Sequence, residues 1–134
     1  MTTRAAAKLP VYLAGAYTLL ALYGSLYPLS GWRDSGVDPF AFLAVGWPRY
    51  FTVFDLVANT LAYLPLGFLW ATVLVTRLPA PAVFVLAALA GGLLSLGVET
   101  AQNFLPSRVP SNVDLARNAF GSLLGAAAGL RWGR

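Results

Sequence analysis

The stretch LPAPAVFVLAALAGGLLSLGV, residues 78–98, runs for 21 residues without a charge and is followed at once by Glu99. As a helix rising 1.5 Å per residue it is roughly 30 Å long, the hydrocarbon thickness of a bilayer. Within it Ala87, Gly91 and Ser95 recur at every fourth position and lead to Glu99. One face is therefore a stripe of small residues, the kind of surface on which membrane helices approach closely. Leu9 to Trp32 and Leu56 to Thr76 are charge-free runs of similar length, whereas Asn118 to Leu130 is shorter. A fourth span must therefore begin near Val113 and take Asp114 and Arg117 into its first turn. The expectation is an all-α, integral membrane four-helix bundle. It forms a single domain over 1–134, with spans at about 9–29, 53–76, 82–104 and 114–132.

Composition agrees with this reading and removes alternatives. The chain is 58% hydrophobic and 10% charged, with a mean hydropathy of +0.69, too apolar to solvate the surface that a small soluble domain must expose. Its net charge is +4, but the basic residues are scattered along the chain, so no nucleic-acid partner is expected. With no Cys and no His there is no thiol nucleophile, imidazole base or usual zinc ligand set, and neither a metal nor a cofactor is expected. Arg4 and Lys8 before an apolar run also fit a cleavable signal peptide, but the run is long for one, and the first helix is expected to be retained.

Four spans place Arg4, Lys8, Arg77, Arg131 and Arg134 at one end, against Arg33, Arg49 and Arg108 at the other. The bias puts both termini in the cytoplasm of a multi-pass cell-membrane protein. All five acidic residues, Asp34, Asp38, Asp55, Glu99 and Asp114, then fall at the opposite, extracytoplasmic end. Tyr27-Pro28 closes the first helix. The connection from Ser30 to Thr52 carries Trp32, Phe40, Phe42, Trp47, Tyr50 and Phe51 and suits the membrane interface. Asp38-Pro39 predicts a short in-plane helix from Pro39 to about Val45. Pro65 predicts a kink in the second span. Asp55-Leu-Val-Ala-Asn59 and Asp114-Leu-Ala-Arg-Asn118 open the second and fourth spans alike, as two parallel-repeat hairpins would.

The fourth span has its own small stripe, Arg117, Gly121, Gly125 and Gly129. Antiparallel packing on the third span would set Ala87 against Gly129, Gly91 against Gly125, Ser95 against Gly121 and Glu99 against Arg117, giving an inter-helix ion pair with Asp114 as the competing partner. Gln102 and Asn103 lie one turn from Glu99, Asn118 lies beside Arg117, and Asp55 and Asn59 open the second span. Arg108, Ser107, Ser111 and Asn112 come from the loop. Such a mixture of carboxylates, amides and guanidinium could hold the head group of an amphiphile, with Arg108 suited to bidentate phosphate or carboxylate recognition. The plainer reading makes Asp55 and Asp114 N-caps, lets Asn59 and Asn118 bond between helices, and leaves Glu99 and Arg117 to neutralise each other.

Asn59 with Pro65-Leu66-Gly67, then Glu99-x2-Gln102, Arg108 and Asp114-x3-Asn118-x2-Gly121-x3-Gly125, resembles the pattern of the VanZ-like membrane proteins over about two-thirds of the chain. The resemblance implies Glu99, Gln102, Arg108, Asp114 and Asn118 as family positions. It also implies an association with low-level resistance to teicoplanin, a lipidated glycopeptide that acts on cell-wall precursors outside the membrane. Three classes of function follow. The first is an envelope protein binding a lipid-linked precursor or lipoglycopeptide at Glu99, Gln102, Arg108, Asp114, Arg117, Asn118, Asp55 and Asn59. The second is a scaffold or small transporter subunit whose polar layer is structural. The third is an enzyme acting on a lipid phosphate, with Glu99 or Asp114 as acid or base.

Overall fold

The computed structural model describes residues 8–50 and 52–133. Arg4, Phe51 and Arg134, which enter the charge and aromatic readings above, lie outside the described residues. Four helices make up the fold: α1 (Leu9–Leu26), α2 (Val53–Leu74), α3 (Ala80–Gln102) and α4 (Asn112–Trp132). There is no strand among the described residues. α1, α2 and α3 are each long and apolar enough to cross a membrane. α4 is less apolar, since it carries Asp114, Arg117 and Asn118, but at 21 residues it is about 31 Å long at 1.5 Å per residue.

Helix boundaries follow local chemistry. α1 stops at Leu26, three residues short of the expectation, because Pro28 pushes Tyr27 out of the α region to φ −56, ψ 136. α2 opens on a capping box in which the Thr52 hydroxyl accepts from Asp55 N and the Asp55 carboxylate accepts from Thr52 N. α4 opens two residues earlier than expected because Ser111 is its cap, accepting from Asp114 N at 3.3 Å. Asp55 and Asp114 are thus the third helical residues of matching starts and are not N-caps themselves. α2 continues through Pro65.

The predicted in-plane helix is instead a four-residue 3-10 turn, Ala41–Ala44. The Asp38 side chain accepts from Phe40 N, closing a turn, and Gly46 and Pro48 interrupt any continuation; one turn cannot offset the cost of helix nucleation. The same connection lies over the end of the bundle. Arg33 N donates to Phe104 O at 2.9 Å, Asn103 to the Ser35 hydroxyl, and Asn112 to Val45 O.

The closest helix approach is between α2 and α4. A Cβ placed on Gly121 would fall under 3.0 Å from Thr60 O, one on Gly125 under 3.0 Å from Leu64 O, and one on Gly129 under 3.0 Å from Phe68 O. These pairs advance together along both chains, so α2 and α4 run parallel. The glycine stripe of α4 therefore faces α2, contrary to the expected packing on α3. The face of α4 that meets α3 is the adjacent row: Asn118 donates to the Ser95 hydroxyl at 2.9 Å, Ser122 donates to Ala87 O at 3.2 Å, and Gly91 leaves room for the Ser122 side chain. Ala87, Gly91 and Ser95 are indeed the buried stripe of α3, but Ser95 meets Asn118 in place of Gly121 and Gly91 meets Ser122 in place of Gly125, on the neighbouring row of α4.

α1 is peripheral. Ala14 is its only buried residue among those described, and it is held by Tyr17, whose hydroxyl donates to Ala62 O, and by the Trp70 indole donating to Thr18. The outer faces expose Leu19, Leu20, Leu61, Leu93 and Phe120, as the lipid-facing surface of a membrane protein should.

Candidate functional site

At the end of the bundle where α1 and α3 finish and α2 and α4 begin, two adjoining cavities collect the polar side chains. One, of about 350 Å³, is lined by Asn59, Glu99, Gln102, Arg108, Asp114 and Asn118, together with Gly24, Ser25, Tyr63 and Ser107. The other, of about 320 Å³, is lined by Asp55, Asn59, Asp114 and Arg117 beside Ser111, Pro48 and Tyr50. All eight residues singled out from the sequence fall in one or both. Among the described residues, no group of three or more His, Cys, Asp or Glu is gathered closely enough to hold a metal ion.

The partners within this layer differ from the expected ones. Glu99, 3% exposed, accepts from Ser111 N at 2.7 Å, so it ties α3 to the N-cap of α4. The ion pair of Arg117 is with Asp114 on its own helix, 3.6 Å away; the inter-helix Glu99–Arg117 pair is replaced by the competing partner. The physical reason is the rotation of α4. Turning Gly121 and Gly125 towards α2 carries Arg117, four residues earlier on the same stripe, away from α3 and towards the α2 side, where it borders the cavity with Asp55. Asp114 also accepts from Asn59 at 2.8 Å, joining α2 to α4. Asn59 and Asn118 thus bond between helices as the plainer reading expected.

Arg108 and Gln102 reach the C-terminal end of α1. Arg108 donates from Nε to Tyr27 O at 2.9 Å and from Nη2 to Gly24 O at 3.1 Å, and Gln102 donates to Ser25 O at 2.9 Å. These are last-turn carbonyls that the helix cannot satisfy itself, at the negative end of its dipole. The guanidinium edge suited to a bidentate anion is thereby occupied by backbone. Arg108→Ala is expected to cost about 2 kcal/mol, in the range for hydrogen bonds to a charged donor, and to detach α1 selectively. Limited proteolysis between residues 27 and 52 would report it, and an unchanged cleavage rate would refute the role.

Two residues of the cavity floor escaped the sequence reading. Tyr63 lies four residues after Asn59 and four before Gly67 on the inward face of α2, a helical spacing that could have marked it. Ser25 is a polar residue in the last turn of an otherwise apolar span, and its backbone carbonyl is as much a part of the site as its hydroxyl.

A search of curated proteins finds no match to this chain, and a search of solved structures finds none either. A family model does match, described as VanZ/LLP1, over residues 12–132. That range takes in α2, α3 and α4, α1 from Tyr12 onward, and every residue of the two polar cavities, and it accords with the resemblance carried by Asn59, Glu99, Gln102, Arg108, Asp114 and Asn118. The chain belongs to the VanZ/LLP1 family.

Proposed function

We propose that this membrane protein binds the head group of an amphiphilic or lipid-linked molecule in the polar cavity at the outer end of its bundle. The observation that carries the reading is the 350 Å³ cavity itself, lined by Glu99, Gln102, Arg108, Asp114 and Asn118 in a chain where only 10% of residues are charged. Polar and ionisable groups at membrane depth are costly and mark functional paths by default. The chain is one domain spanning the cell membrane four times, with both termini in the cytoplasm and the cavity extracytoplasmic. There it meets lipid-linked cell-wall precursors or lipoglycopeptides such as teicoplanin, and occupancy alters sensitivity to such drugs.

Native mass spectrometry of protein extracted in mild detergent tests the binding. Wild type is expected to retain a lipid-linked adduct that Glu99→Gln loses. Equal retention of bulk phospholipid alone by both proteins would count against a head-group site.

A second reading is favoured by a specific set of contacts: Arg108 and Gln102 to α1, Asn118 to Ser95, and Asn59 to Asp114. They fasten every helix to a neighbour, as the polar layer of a scaffold or small transporter subunit would. In that case Glu99→Gln lowers thermal stability in detergent and leaves the bound lipids unchanged.

A further inference from the structure

The hydrogen-bonding capacity left open in the cavity is lopsided. The amide of Asn59 donates to Asp114, that of Gln102 to a carbonyl of α1, and that of Asn118 to Ser95, while Arg108 uses Nε and Nη2 on two backbone carbonyls. Each of these four side chains therefore spends at least one donor on the protein. The carboxylate of Glu99 and the amide oxygens are acceptors, so donors on a guest would find partners there.

Two buried atoms add a sharper requirement. Tyr63, 3% exposed, and Asn118, 4% exposed, both line the cavity. Tyr63 Oη and Asn118 Oδ1 are buried without a hydrogen-bond partner among the described residues. The groups nearest Tyr63 Oη are the Ser95 and Ser25 hydroxyls, and Asn118 is joined to the same Ser95. A buried polar group gains from a matched partner, so a guest group that serves both atoms is favoured there.

Resting on the head-group reading above, the geometry points to a neutral, hydroxyl-rich head group, a glycosyl unit, as the guest, with one hydroxyl seated against Tyr63 Oη and Asn118 Oδ1. A hydroxyl accepts from Tyr63 and donates to Asn118 at once. A phosphodiester has no proton to give Asn118, and the positive charge of Arg108 in the lining is offset by the carboxylates of Glu99 and Asp114. An ammonium has no lone pair for the Tyr63 proton. The remaining hydroxyls of a sugar both donate and accept, as the mixed amide and carboxylate wall requires.

The test uses the full chain purified in a sugar-free zwitterionic detergent. Binding of three probes with identical acyl chains is compared by native mass spectrometry: a monoglucosyl diacylglycerol, phosphatidic acid and phosphatidylethanolamine. The glycolipid is expected to bind at least tenfold more tightly than either of the others, a ranking that needs no variant. Tyr63→Phe, which removes the oxygen that would meet the guest hydroxyl, is expected to keep the folded yield of wild type in detergent and to weaken glycolipid binding about tenfold, leaving the other two unchanged. If phosphatidic acid or phosphatidylethanolamine binds best and is lost in Glu99→Gln, the head-group site stands and the sugar assignment falls. Tight glycolipid binding that Tyr63→Phe does not weaken also overturns it. If none of the three binds above the level of Glu99→Gln, the head-group reading itself fails.

Discussion

Alanine at Gly125 is expected to destabilise the bundle by about 3 kcal/mol or more, the upper end of what overpacking costs. The added Cβ would lie under 3.0 Å from Leu64 O and from Phe68 N, both backbone atoms of α2. A flexible side chain could move aside; a helix backbone cannot without separating α2 from α4 along the whole stripe. Gly121, against Thr60 O, and Gly67, against Ser122 O, are in the same position and are expected to behave alike. Gly92 and Gly97 on α3 have nothing within 4 Å of a built Cβ, so alanine there is expected to be tolerated. The measurement is the thermal midpoint and folded yield of each variant in detergent. A Gly125→Ala protein as stable as Gly92→Ala would disprove the intimate α2–α4 contact and reopen the packing of that stripe on α3.

The second large effect concerns the buried charge on α4. Arg117 is 7% exposed and its ion pair is with Asp114, which also accepts from Asn59. Asp114→Ala removes both interactions at once and, with the Asp114 side chain 34% exposed, is expected to cost roughly 1–3 kcal/mol, the range for leaving hydrogen-bonding partners unmatched. Asp114→Ala combined with Arg117→Met should cost much less than the sum of the single changes, because the charge and its counter-charge leave together. A coupling of about 1–3 kcal/mol is expected from this double-mutant cycle. The cycle between Glu99 and Arg117 should give little, and exchanging those two, Glu99→Arg with Arg117→Glu, should rescue nothing, because Glu99 holds Ser111 N instead. Additive costs for Asp114 and Arg117, or a successful Glu99–Arg117 exchange, would place the pair between α3 and α4 after all.

Both results bear on the sugar assignment only indirectly, and that separation is useful. Gly125 and Arg117 report on how the helices are held, whereas Tyr63→Phe removes a single oxygen at the cavity wall. A loss of glycolipid with unchanged folded yield is therefore attributable to the guest.

What the sequence determined by itself is the set of helices and the end at which the polar side chains collect. Charge-free runs near twenty residues leave helices as the only spanning structures, since every backbone N–H and C=O must be satisfied within the segment. Loop lengths then put Asp55, Glu99, Arg108 and Asp114 at one end whatever the packing. Tyr27-Pro28 and the small stripe of α3 were legible for the same reason: their effects are local. The tertiary structure alone decided which way α4 faces. Gly121, Gly125 and Gly129 form one small row and Asn118, Ser122 and Ala126 the next, about 100° away. Either row could meet α3 by size, and only the simultaneous contact with α2 and α3 assigns them. That rotation chose Asp114 over Glu99 as the partner of Arg117, and gave Glu99 to the backbone of Ser111. It left Tyr63 and Asn118 in the lining of the polar cavity, with Tyr63 Oη and Asn118 Oδ1 buried. Backbone carbonyls of α1, invisible in a pattern of side chains, took the guanidinium of Arg108. Spacing along one helix fixes which side chains share a face; three helices in contact fix what each face touches.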